Sequence, residues 1–192
     1  MKTNTRRMVE TALMLAIGTV LSVLSFQGVW ALGGSITFCS MLPLVVLSWR
    51  WGWKWGLLSA FVFSVLQLML GYANVQYATS IGMAVLIVLF DYILAFSAIG
   101  LSGLFRGKFQ SERTGIVVSI VVTFLLRLAC HFVSGVWVWE ALWPNELGWA
   151  APIWSIAYNA SYMLPEILIT GIAAFVSWRP LERYYLGKDI AE

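Results

Sequence analysis

Apolar residues run along this chain in six blocks, roughly 8–26, 36–50, 55–73, 80–105, 114–136 and 150–178, separated by short polar or glycine-containing intervals. A stretch of about 20 apolar residues spans the hydrocarbon of a bilayer as a helix. A helix is also the expected form there, because every backbone amide must be satisfied without water. The alternation and turn spacing of a transmembrane barrel are missing. The pattern therefore predicts an all-α integral membrane protein, a compact bundle of six transmembrane helices. The second block is short for a span. It either reaches back through Gly34 and Ser35 or is interrupted at Pro43.

The polar intervals then orient the bundle. Lys2, Arg6 and Arg7 precede the first block; Arg50 and Lys54 lie between the second and third. Arg106, Lys108 and Arg113 lie between the fourth and fifth, and Arg179, Arg183 and Lys188 follow the sixth. With six spans, all these segments fall on one side, and only Arg127, of the twelve Lys and Arg residues, stands inside a span. The alternate intervals (about 27–35, 74–79 and 137–149) carry Glu140 and Glu146 but no Lys or Arg. By the positive-inside rule both termini are cytoplasmic.

Composition agrees. The chain is 60% hydrophobic and 11% charged, against about 25% charged for a soluble domain, so lipid must cover most of its perimeter. The first block is too long, and too continuous with a multi-span chain, for a cleaved signal peptide. Residues 1–192 read as one transmembrane domain, since the tail from 179 to 192 is too small to fold alone. The net charge of +3 does not indicate nucleic acid, because the basic residues follow the membrane topology. Cys39 and Cys130 fall inside apolar blocks and read as buried free thiols. With a single histidine and no Cys-x-x-Cys pair, zinc and haem motifs are absent, and no cofactor is expected. No phosphate loop is present either, so any ATP-driven step needs another chain.

Ionisable groups inside spans are costly and mark function by default. Four stand out: Asp91, Arg127, His131 and Glu166. Helical rise places Asp91 about 16 Å below the outer surface and Asn159 about 14 Å below it. His131 lies about 25 Å along the fifth helix, four residues from Arg127 and so on the same face. These groups converge between the outer leaflet and the middle of the membrane, as an outward-opening pocket requires. Arg127 either serves that pocket or makes an interhelical ion pair with Asp91 or Glu166. Glu166, which follows Pro165, reads as a structural or coupling element, and His131 as a ligand group or a satisfied core histidine.

Eleven tryptophans supply the other signal. Trp49, Trp51, Trp53, Trp55 and Trp178 read as an interfacial belt at the basic end. Trp30, Trp137, Trp139, Trp143, Trp149 and Trp154 lie at the other end, where Trp139 and Trp154 neighbour the His131 and Asn159 segments. Indole faces beside a carboxylate suit a flat cationic aromatic ligand, whose ring edge an acid and a histidine can hydrogen-bond.

Several short segments carry a resemblance: Gly33-Gly34-Ser35-Ile36 leading to Met41-Leu42-Pro43, Asp91-Tyr92-Ile93-Leu94-Ala95-Phe96, Arg127 with His131-Phe132-Val133-Ser134-Gly135-Val136, and Tyr158-Asn159-Ala160-Ser161-Tyr162 with Pro165-Glu166. In order and spacing the chain resembles the thiamine-specific S components of energy-coupling factor (ECF) transporters over nearly its whole length. The resemblance implies a high-affinity thiamine-binding subunit of a vitamin importer in the bacterial plasma membrane, without enzymatic activity. It implies ligand contacts from Asp91, Tyr92, His131, Trp139, Trp154, Tyr158 and Asn159, with Trp30 closing the site. Its partners are a transmembrane coupling subunit of the EcfT type, docked through Ala12 and Ala16 on the first helix, and two ATPase subunits.

Two positions depart from that family. Its acid is usually glutamate where Asp91 stands, and a tyrosine often precedes the asparagine by five where Trp154 stands. Thiamine phosphates, a thiamine precursor or another vitamin remain alternative ligands. A reading of a different class is a small intramembrane enzyme using Asp91, His131 and Ser134, three residues apart from His131 on one face. It lacks a serine elbow, a paired aspartate motif and a metal cluster.

Overall fold

The computed structural model describes residues 3–26 and 34–190. Helix α1 (Thr3–Val23) leads into a minimal antiparallel ribbon, β1 (Ser25–Phe26) and β2 (Ile36–Thr37), with Ser25 opposite Thr37. Helices α2 (Leu42–Trp51), α3 (Trp53–Leu70) and the short α4 (Tyr72–Val75) follow. Three long helices complete the chain: α5 (Ile81–Phe105), α6 (Glu112–Leu142) and α7 (Ala151–Tyr185).

Four helices, α3, α5, α6 and α7, are long and apolar enough to cross a membrane, which makes this a membrane protein. Their starts are written locally. Ser80 accepts from the Met83 amide and caps α5. Ser111 accepts from the Thr114 amide and caps α6, and Glu112 adds negative charge at the positive end of that helix. Helix α1 is 21 residues long, about 32 Å, and carries Arg6, Arg7 and Glu10 in its first turns. Beyond them Leu13, Ile17, Val20 and Val23 face outward, exposed.

The second apolar block is not one helix. Pro43 lies in the first turn of α2, where its missing N–H costs nothing. It therefore starts the helix rather than interrupting one, and residues 34–41 form the ribbon strand and a turn containing Cys39 at φ 60°. At 10 residues α2 is only about 15 Å long. From Pro43 to Arg50 every residue of it is buried, as are Thr37, Ser40 and Met41 before it. Non-helical backbone at such depth is tolerated only inside protein. Gly52, at φ 89°, then makes the left-handed joint that lets α3 begin one residue later.

Burial of α2 corrects the tryptophan belt. Trp49 is fully buried, donates to Ser119 Oγ at 3.2 Å and packs edge-on against buried Trp178. Ser48 tightens the same region, donating to the Gly100 carbonyl at 2.5 Å and accepting from the Gly103 amide at 2.8 Å. Cys39 and Cys130 form no disulfide and are only half-buried.

At the basic end, Arg50 closes the bundle. Its side chain is 0% exposed and donates to Glu10 at 2.6 Å, to Asp189 at 2.6 Å and to the Tyr184 carbonyl at 2.7 Å. Arg6 pairs with both Glu10 and Asp189. The first helix, the second and the segment after α7 are thus tied by one charge network. The Arg50 guanidinium, with Arg6 beside it, holds the Asp189 carboxyl down at about 2.

Candidate functional site

At the opposite end of the bundle, α4, α5, α6 and α7 wall a cavity of about 900 Å³, its open mouth included. Asp91 stands on α5 where the helix widens into a π-helical stretch, Ile87–Ile93. A second π-helical stretch, Gly135–Trp139, widens α6. Such turns recur at functional sites, and here they set side-chain direction. In a regular helix Trp139 would point about 80° away from His131; the wider turn brings it back to the same carboxylate.

Three donors meet on Asp91. His131 Nδ1 lies 3.1 Å from Oδ1, while Ser134 Oγ and Trp139 Nε1 donate to Oδ2 at 2.7 and 2.8 Å. The carboxylate assigns the imidazole proton to Nδ1. His131 Nε2, on the other side of the ring, is buried without a hydrogen-bond partner among the described residues, and His131 lines the cavity. Ser134 gives its proton to Asp91 rather than to His131, so the nucleophile–base pair of the enzyme reading is not formed.

The remaining polar groups are mostly committed to holding the walls. Tyr92 donates to the Gly71 carbonyl at 2.8 Å and accepts from Asn74 at 3.0 Å, leaving its ring as cavity surface. Asn159 Nδ2 donates to the Ser155 carbonyl at 2.9 Å, and its Oδ1 accepts from Tyr162 at 2.6 Å. Gly135 lies where α6 passes close to α7: a Cβ there would run into Ser155 and come within 3.4 Å of Asn159 Nδ2.

Aromatic rings form the sides. Trp139 stacks on Trp143 with centroids 5.8 Å apart, and Trp154 leans on Tyr158 at 5.7 Å. Trp137, on the other face of α6, is exposed. Arg127 also lines the cavity, with its charge matched by Glu166 at 2.8 Å. Glu166 in turn accepts from the Thr37 amide at 2.7 Å and the Thr37 hydroxyl at 2.5 Å. Of the two ion-pair partners open to Arg127 in the sequence, the structure selects Glu166, which pins the non-helical segment before α2.

The structure therefore brings Asp91, Tyr92, His131, Trp139, Trp154, Tyr158 and Asn159 to one cavity. Trp30 lies outside the described residues. Ala12 and Ala16 are exposed on α1, away from the cavity. Sequence reasoning missed Glu140 as a lining residue, because it lies in an interval read as a loop. The clue was its position directly after Trp139, on a helix that continues to Leu142.

Fold and cavity together define a helical membrane protein with a small-molecule site at one end of its bundle. The chain belongs to the thiamine transporter protein family (Thia_YuaJ), whose profile matches residues 8–185. It is a transport protein rather than an enzyme. It is 33% identical over 178 residues to the thiamine transporter ThiT of Bacillus subtilis (strain 168), with 86% of each chain covered. Its fold matches that of ThiT from Listeria monocytogenes with a TM-score of 0.77 at 24% identity, over 96% of this chain and 99% of that one.

Proposed function

We propose that this protein is the thiamine-binding S component of an energy-coupling factor importer in a bacterial cell membrane. The observation that carries the reading is the Asp91 constellation. One carboxylate fixes a histidine and an indole in the wall of an aromatic-lined cavity, and the histidine's other ring nitrogen has no hydrogen-bond partner among the described residues. His131 Nε2 is then an acceptor for the exocyclic amine of the aminopyrimidine, and Asp91 acts by holding it there. Trp139 and Trp154 stack on the rings; Tyr92, Tyr158 and Asn159 shape the wall, and Trp30 closes the site.

Residues 1–192 form one domain of six membrane crossings with cytoplasmic termini, in keeping with the charge asymmetry. In this arrangement α1 is the first crossing, and α2 with the segment before it is the second. Ala12 and Ala16, on the exposed face of α1, dock the transmembrane coupling subunit, and two ATPase subunits drive release.

Titration of detergent-purified protein with thiamine, followed by tryptophan fluorescence, tests ligand and site together. Saturable quenching that weakens in Asp91→Ala and His131→Ala is expected. Absence of quenching in a folded protein sinks the thiamine reading. For docking, Ala12→Leu with Ala16→Leu should leave thiamine binding intact and abolish uptake in the assembled importer.

A further inference from the structure

We infer that Glu140 is the counter-ion of a positively charged ring in this cavity, and so determines its preference for a cationic ligand. The inference rests on the thiamine reading and deepens it. Glu140 lines the cavity beside Trp139 and Trp143. Its Oε1 accepts from the Asn145 backbone amide at 3.2 Å and from Asn145 Nδ2 at 2.9 Å, which fixes the carboxylate in place. Its Oε2 is buried and has no hydrogen-bond partner among the described residues.

Charge balance around the cavity points the same way. Arg127 is the one guanidinium among the lining residues, and Glu166 behind it is its ion-pair partner. Among the described lining residues, no Lys or Arg is then left to pair with Asp91 or Glu140. Asp91 is stabilised by three donors. Glu140 has donors on one oxygen only. A buried carboxylate oxygen with nothing to face is costly, and a cation entering the cavity removes that cost. Glu140 also lies one residue beyond Trp139, whose ring stacks on Trp143. A flat cation lying against these indoles gains from their faces and from the negative charge of Glu140 in the wall beside them. His131, held by Asp91, keeps its Nε2 for the neutral hydrogen-bonding edge of the same molecule.

The test pairs a charge change in the protein with one in the ligand. Wild-type protein, Glu140→Gln and Glu140→Ala are titrated with thiamine and with an uncharged analogue that has carbon in place of the thiazolium nitrogen. Melting of each unliganded variant in detergent is recorded alongside. Glu140→Gln keeps the acceptor for Asn145 and removes only the charge. Its thiamine affinity should fall on the order of tenfold, while the uncharged analogue changes by less than about twofold. The unliganded variant should melt no lower than wild type, since an uncompensated buried charge has gone. Equal losses for both ligands, or no loss for thiamine, would overturn the assignment of Glu140. Failure of wild-type protein to bind thiamine would overturn the thiamine reading itself.

Discussion

Arg127 and Glu166 form an ion pair at 2.8 Å between α6 and α7, with side chains 9% and 2% exposed. Glu166 simultaneously accepts from the amide and hydroxyl of Thr37. Two long helices and the non-helical segment before α2 are therefore joined at one carboxylate. Removing one member of a buried pair strands the other, at about 3–5 kcal/mol. Arg127→Met should accordingly lower stability in detergent by about that amount. Arg127→Met with Glu166→Gln should recover much of the loss, because the amide can still accept from Thr37. Thermal melts of the two single variants and the double variant check this. Additive losses would show that the pair contributes no coupling.

Ser134 supplies one of three donors to Asp91. Ser134→Ala leaves the fold intact and the carboxylate with two partners, so thiamine affinity should fall by about three- to tenfold, the worth of one hydrogen bond to a charged group softened by the donors that remain. Isothermal titration reads the change.

Gly135 marks a close approach of α6 to α7 beside the cavity. Gly135→Ala forces a methyl group against Ser155 and should destabilise by about 1–3 kcal/mol, as overpacking does, with thiamine affinity reduced in parallel. Ser155→Gly in the same chain opens the space and should restore both. Melting and titration of the single and double variants decide it.

The network at the basic end gives a pH dependence. Arg50 and Arg6 hold the Asp189 carboxyl at about 2 against an ordinary 3.8. A carboxyl depressed on folding stabilises the folded state above its unfolded value, and that contribution is lost as the pH falls through its folded value. Wild type should therefore melt above Asp189→Asn at neutral pH, and the gap should close between about pH 4 and pH 2. A gap that persists at pH 2 would remove Asp189 as its source.

Much of this site can be read from residue types alone. Asp91, His131 and Asn159 are polar residues in apolar blocks, and nothing but a shared cavity or a partner explains them there. Rise per residue was enough to bring them toward the same end of the bundle, where they share one cavity. What helical periodicity could not supply was the direction of Trp139, since a π-helical stretch leaves no mark in hydropathy. Glu140 was hidden for a related reason: α6 continues to Leu142, beyond the point where its apolar run ends at about 136. The second block shows the opposite effect. Its continuous hydrophobicity reports complete burial of α2 and of the turn before it, not one lipid-facing span. Trp49 was misplaced at an interface, because a residue's order in the chain does not reveal that Ser119 and Trp178 pack over it.

The π-helical stretches of α5 and α6 also mean that the cavity is encoded in chain length as well as in side-chain identity. Each accommodates residues that a regular helix would spread over a different arc. Excising one residue from the second, such as Val136, would leave composition, hydropathy and charge almost unchanged. The helix would then close into regular turns with Trp139 seven residues from His131, still within about 20° of its face, whereas inserting one residue would swing everything after it on α6 by about 100°, carrying Trp139 off Asp91 and Glu140 away from Asn145. Two chains could share every side chain named in this site and still differ in whether they possess one.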